Sequence, residues 1–150
     1  DVVPANFHAR YSAQLRYYRY QCYTGNNVLF RNQSWITGEL DQSILQSAAE
    51  TVIGEHDFLS FSKFRNDMKD TMCKIYESVW KKQDKMLIYY VSGNRFLHHM
   101  VRYLTGTMVE ISRGKCTIET FLSLLNNPEK NVQIFKAPPQ GLILEKINYA

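Results

Sequence analysis

The stretch NRFLHHMVRYLTGTMVEI, Asn94 to Ile111, sets two adjacent imidazoles and a guanidinium among apolar residues. Imidazoles exchange protons near neutral pH, and a guanidinium grips a carboxylate or phosphate through a rigid fork of donors. Two histidines bind a metal from one helical face only at i, i+4 spacing, so the neighbours His98 and His99 do not make that site. A second cluster lies earlier, where Arg10, Arg16 and Arg19 interleave with Tyr11, Tyr17, Tyr18 and Tyr20. Cations that hold phosphates and rings that stack on bases are what an unpaired nucleic acid strand requires. The competing reading is a tyrosine-rich strand with solvated arginines, because aromatic residues favour strands in any case.

The elements that must position these residues follow from periodicity. Gln14 to Tyr23 has no breaker and ends at the turn residues Thr24-Gly25-Asn26-Asn27, which predicts a strand. Asp41 is placed to cap a helix with apolar Ile44, Leu45, Ala48, Val52 and Ile53, Leu40 and Leu45 form a staple across its start, and Gly54 is placed to end it. His56 to Met72 shows no period and is expected as an exposed loop carrying Lys63, Arg65 and Lys69. Cys73, Ile75, Glu77 and Val79 alternate with Lys74, Tyr76, Ser78 and Trp80, and Met86 to Ser92 follows a polar turn, so a hairpin is predicted.

The quoted stretch is expected as one long helix. Leu97, Met100, Val101, Leu104, Met108 and Ile111 share a core-facing arc, and Arg102 projects opposite it with His98, Arg95 and Gly106 nearby. Gly106 weakens a helix by about 1 kcal/mol relative to alanine, so its value there is close approach by another part of the protein or by a ligand. The histidines are expected in the core or in support of Arg102, and Phe58, Phe61 and Phe96 in the core. A short helix from Ile118 to Leu125, capped by Thr117, and a strand from Leu142 to Tyr149 complete the chain. The order strand, helix, strand, strand, helix, strand predicts a ferredoxin-like α+β domain: an antiparallel sheet with helices on one face.

Composition narrows the setting. At 150 residues the chain has the length of one domain, and no repeat or linker divides it. Apolar runs are too short to span a bilayer, so no membrane partner is expected. Cys22, Cys73 and Cys116 are odd in number and scattered, which predicts neither a disulfide framework nor a zinc site and fits a reducing cytoplasm. A net charge of +4 adds only a modest attraction to polyanions. The opening Asp-Val-Val-Pro-Ala-Asn, without an initiator Met, reads like the middle of a connection and suggests an excised domain.

Five stretches resemble, in order and spacing, the C-terminal half of the TruA family of tRNA pseudouridine synthases: Phe7-His8-Ala9-Arg10-Tyr11-Ser12-Ala13, Arg16-Tyr17-Tyr18-Arg19-Tyr20, His56-Asp57-Phe58-Leu59-Ser60-Phe61, Asn94 to Arg102, and Gly141-Leu142-Ile143-Leu144. The resemblance implies the pseudouridine synthase fold and isomerisation of uridine to pseudouridine in the anticodon stem-loop of tRNA, by a homodimer, with no metal or organic cofactor. It implies that Tyr18 packs its ring on the target uracil, that Arg102 pairs with the essential aspartate, and that Leu142 lines the uracil pocket. Arg10, Arg16, Lys63, Arg65 and Lys69 are expected RNA contacts. The family carries its aspartate in a Gly-Arg-Thr-Asp-x-Gly-Val-His-like motif of an N-terminal domain, and that motif is absent here. Asp41 is read as a helix cap, and Asp57, Asp67, Asp70 and Asp84 sit in stretches that do not match that aspartate motif, so the chain alone is expected to be inactive and to need the N-terminal domain as partner.

Two other classes compete. A noncatalytic RNA-binding module is weakened by the missing Gly-aromatic signature of such domains. A structural or dimerising domain of a larger enzyme is the other.

Overall fold

The computed structural model describes residues 2–8, 13–26 and 28–149. The tyrosine-rich stretch forms β1, Ala13–Tyr23, which lies inside the sheet with an antiparallel neighbour on each edge. These are β5, Met86–Gly93, and β6, Leu142–Tyr149. Beyond β5 lies β4, Met72–Gln83, joined to it by the two-residue turn Asp84-Lys85. The order β6-β1-β5-β4 is that of the expected split β-α-β arrangement.

Two short strands were hidden from periodicity. β2, Trp35–Ile36, runs parallel to the end of β1, so the sheet is mixed and not wholly antiparallel. β3, Gly54–Asp57, extends the sheet beside β4. The stretch from His56 is therefore a loop only in part. Its first residues close β3, and Leu59–Phe61 make a 3-10 turn in which Asp57 Oδ1 accepts from Leu59 N and from the Thr71 hydroxyl.

The alternation expected along β4 breaks. Cys73 and Ile75 are buried as expected, but a bulge between Ile75 and Glu77 shifts the register, so Ser78 and Trp80 turn inward. An extra residue in one strand has this effect because side chains alternate with period two.

Helix α1, Gln42–Glu50, starts where Asp41 predicts, its Oδ1 accepting from Ser43 N at 3.0 Å and Ile44 N at 3.2 Å. Such a cap stabilises by about 1 kcal/mol. The helix closes earlier than expected, and Gly54, at φ +104°, opens β3 and does not end α1. Helix α2, Met100–Ser112, packs against α1 and over β1, while α1 packs over β4. Helix α3, Ile118–Asn126, is capped by Thr117 as predicted. Leu45, Leu104 and Met108 from the helices meet Tyr20, Leu87 and Tyr89 from the sheet in one core, and Phe58 and Phe61 are buried in it as expected.

The quoted stretch departs most from expectation, because only its part from Met100 onward is helical. Asn94 Oδ1 accepts from Lys74 N and Asn94 N donates to Lys74 O, which ties the start of the stretch to β4. Arg95 donates to Asp70 O and lies 3.7 Å from the Asp70 carboxylate, and Lys63 N donates to His98 O. Tertiary partners thus hold Asn94 to His98 outside the helix, and His99 turns the chain into it from the left-handed region at φ 62°.

Helix α2 is crossed by an irregular segment, residues 132–138. Ala137 N donates to Arg102 O at 3.0 Å, and Tyr20 donates from its hydroxyl to Pro138 O at 2.6 Å. The crossing explains Gly106: a Cβ there would fall on the Phe135 carbonyl oxygen and 2.8 Å from Ala137 N. The close approach read from the sequence is made by the chain itself.

Candidate active site

Tyr18 sits in β1 opposite Val91 of β5 and Leu144 of β6. Its ring meets Phe96 edge-on with centroids 5.0 Å apart, so Phe96, expected in the core, walls a cavity beside it. Leu142 reaches the same cavity because the chain enters β6 tightly over β1: a Cβ on Gly141 would lie 2.7 Å from Gln21 O and from the Tyr20 ring. The segment Phe96 to Val101 and the side chain of Arg65 complete the lining of a cleft of about 450 Å³. Among the described residues, none of those lining it is a carboxylate.

The interleaved tyrosines do not form one stacking surface. Tyr20 is wholly buried, and Tyr17 lies under the Lys146 ammonium, 5.6 Å from ring centroid to Nζ. Arg19 pairs with Glu145 at 3.3 Å. Strand alternation sends Tyr17 to the opposite face, and Tyr20, on the same side as Tyr18, is covered by the chain at Pro138 and Gly141, so Tyr18 alone of the four tyrosines in β1 lines the cleft. Burial pushes its phenol above the ordinary range, with Arg16 opposing, so the hydroxyl stays protonated and able to donate.

Arg102 stands beside the cleft and is anchored twice. Its Nε donates to Ala137 O at 2.7 Å, and one terminal nitrogen lies 3.2 Å from His99 Nδ1. The sequence pattern placed His98 next to Arg102 and His99 on another flank, and the late helix start reverses this. His98 is exposed and lines the cleft, its ring against that of His99 at 3.8 Å between centroids.

Desolvation lowers the His99 pKa to about 4, helped by His98, Lys136, Arg102 and Lys63, and His98 is lowered for similar reasons. An unfolded histidine takes its proton near pH 6.5, whereas folded His99 refuses it until about pH 4. This contribution to stability is therefore complete above about pH 6.5 and is lost as pH falls from there toward 4. Urea midpoints measured at pH 7.5 and at pH 4.5 should differ less in His99→Asn than in the native chain, and equal differences would count against this origin.

The other expected contacts are dispersed. Arg65 lines the cleft, and with Lys69, Arg95, His98 and others it also lines an adjoining cavity of about 450 Å³. Lys63 contributes its backbone bond to His98 and its charge, without lining either cavity. Arg16 donates to Asn94 O at 3.2 Å and lines neither cavity. Arg10 lies outside the described residues. Sequence reasoning missed Lys136, whose ammonium lies over the Tyr103 ring at 5.7 Å to the centroid and whose charge acts on both histidines. Nothing in its spacing marks it, because it belongs to irregular backbone. Among the described residues, no three His, Cys, Asp or Glu side chains are grouped to hold a metal ion, and no helix is long and apolar enough to cross a membrane.

A ferredoxin-like α+β sheet thus frames a cleft walled by aromatic and imidazole rings, with Arg65 as the one permanent cation among its described lining residues, and this defines the class of domain. Residues 48–150 match the family model described as tRNA pseudouridine synthase, and the chain belongs to that family. Among curated relatives, it is 38% identical over 149 residues to tRNA pseudouridine synthase A of Chlorobium limicola, an alignment covering 99% of this chain and 61% of that protein. The corresponding protein of Dictyoglomus thermophilum is 38% identical, with 99% and 62% covered, and that of Legionella pneumophila 32% identical, with 98% and 57% covered. The chain thus spans about three fifths of the length of these relatives.

Proposed function

We propose that this chain supplies one wall of the active site of a tRNA pseudouridine synthase that converts uridines of the anticodon stem-loop. The observation that carries this reading is the convergence of Tyr18 and Leu142 on one cleft with Arg102 at its side, in a chain of that family. An enzyme acting on a base must take it out of its stack, and an aromatic face beside an apolar one is a fitting receptacle. The Tyr18 ring packs on the uracil and Leu142 covers it. Arg102, held by His99 and Ala137, keeps donors for an aspartate supplied by the N-terminal domain of the longer protein. In the isomerisation the bond from C1′ of the ribose to N1 of the uracil breaks and one to C5 forms. The C5 proton leaves and N1 gains one, so nothing is consumed and no cofactor is required. Arg10, Arg16, Lys63, Arg65 and Lys69 meet the RNA backbone, and the whole enzyme works as a cytoplasmic homodimer. The corollary is that the chain alone is inactive, since among the described residues none lining the cleft is a carboxylate.

The test is release of tritium from anticodon stem-loops labelled at uridine C5, with the full-length protein, this chain, and a mixture of this chain with its separately made N-terminal half. Release by this chain alone would place the nucleophile among its own aspartates and overturn the shared-site reading. In the full-length enzyme, Tyr18→Phe keeps the ring and removes the donor, so turnover should fall about 100-fold. RNA affinity should stay within about 3-fold, because the stacking face survives. Undiminished turnover would leave only the ring with a role.

A further inference from the structure

The geometry points to His99 as the positioning residue for Arg102, its Nδ1 accepting from the guanidinium so that the group is held in one direction beside a residue that lines the cleft; this rests on the role proposed above for Arg102. A guanidinium on a free side chain samples many rotamers, and its direction matters where it must meet a carboxylate in one geometry. Here two contacts fix it. Nε is taken by Ala137 O at 2.7 Å, and a terminal nitrogen by His99 Nδ1 at 3.2 Å. They come from separate parts of the chain, one from the segment crossing α2 and the other from the residue before its first turn.

His99 is suited to this because of how the chain enters α2. At φ 62° the residue lies in the left-handed region, and its side chain makes no cap to the helix. A histidine that neither caps nor continues the helix is free to serve another group. Its Nδ1 accepts only when the ring is neutral and the proton sits on Nε2. The charged and titratable groups around the ring are His98 on the preceding residue, Lys136 on the crossing segment, Arg102 and Tyr103 on α2, and Lys63 after the 3-10 turn. The fixed cations among them disfavour a further positive charge, so this surrounding keeps the acceptor available across the neutral range.

Asparagine separates this role from backbone strain, because it tolerates the left-handed region and carries Oδ1 where histidine carries Nδ1. In the full-length enzyme, His99→Ala should lower kcat about 10- to 100-fold with tRNA affinity unchanged, and His99→Asn should restore most of it. In an Arg102→Ala background, His99→Ala should cost nothing further, since the group it positions is gone. Equal loss with alanine and asparagine, or a full additional loss without Arg102, would overturn the inference. Wild-type turnover in His99→Ala while Arg102→Ala is inactive would overturn it alone, whereas wild-type turnover in Arg102→Ala would overturn the reading beneath it. Where His99→Ala does not fold, nitrogen-15 NMR of the native protein decides. An unprotonated Nδ1 with the proton on Nε2 at neutral pH is expected, and a proton on Nδ1 refutes the contact.

Discussion

Replacing Arg102 by alanine in the full-length enzyme should lower turnover at least about 1,000-fold while tRNA binding weakens by less than about 3-fold. The asymmetry follows from where the side chain is. Its Nε is engaged by Ala137 O and a terminal nitrogen by His99, which lines the Tyr18 cleft, so in the role proposed above its free donors serve the reacting group and not a phosphate on the RNA exterior. An interaction made with the reacting centre appears in kcat, whereas one made equally with bound and reacting substrate appears in affinity. Arg102→Lys should recover little, because an ammonium cannot satisfy Ala137 O and His99 Nδ1 and still offer a paired contact. Single-turnover rates and filter-binding affinities on the same preparations provide the comparison. Parallel losses in both would reduce Arg102 to an RNA-binding residue.

The second large effect is expected at Gly106. Alanine is the better helix former by about 1 kcal/mol, so at an open helical site the substitution would stabilise. Here the added Cβ meets the Phe135 carbonyl and Ala137 N, both backbone, neither able to rotate away. Overpacking of this kind costs about 1–3 kcal/mol and more for a larger side chain, so Gly106→Val should lie at or beyond the upper end. The damage should also reach activity, since lifting the crossing segment withdraws Ala137 O from Arg102. Urea midpoints should fall, and turnover of the surviving folded protein should fall with them. A gain in midpoint for Gly106→Ala would mean that the crossing segment gives way at little cost.

These effects show which parts of the molecule were legible in its residues. β1, the hairpin, α3 and β6 declare themselves because each has a strong local signal: a breaker-free aromatic run, alternation with a polar turn, a threonine cap, a proline-marked approach. The caps at Asp41 and Thr117 were readable because a short polar side chain beside an apolar repeat has few other purposes. What escaped depends on partners distant in sequence. The start of α2 is set by Lys74, Asp70 and Lys63, none of them adjacent to Asn94 in the chain. With the helix begun too early, the wrong histidine was placed beside Arg102. The bulge in β4 left no mark in composition, and β2 and β3 are too short to display a period. The family resemblance singled out Tyr18, Arg102 and Leu142, while the contacts to Arg102 from Ala137 and His99 depend on the crossing segment and the late helix start, neither of which has a local signal.

The position of β1 between β5 and β6 also bears on how the protein is made. β5 can reach β1 once the hairpin has been synthesised, but the other edge waits for a strand most of the chain away, Ala13 pairing with Tyr149. Until β6 leaves the ribosome, a long edge rich in tyrosine is open to other nascent chains, and pairing over such a separation raises the contact order and slows folding. Tyr18 and Leu142 meet only with that last docking. The cleft is thus the latest part of the domain to be assembled, and a ribosome stalled before residue 142 would carry a nearly complete sheet without the Leu142 wall of the cleft.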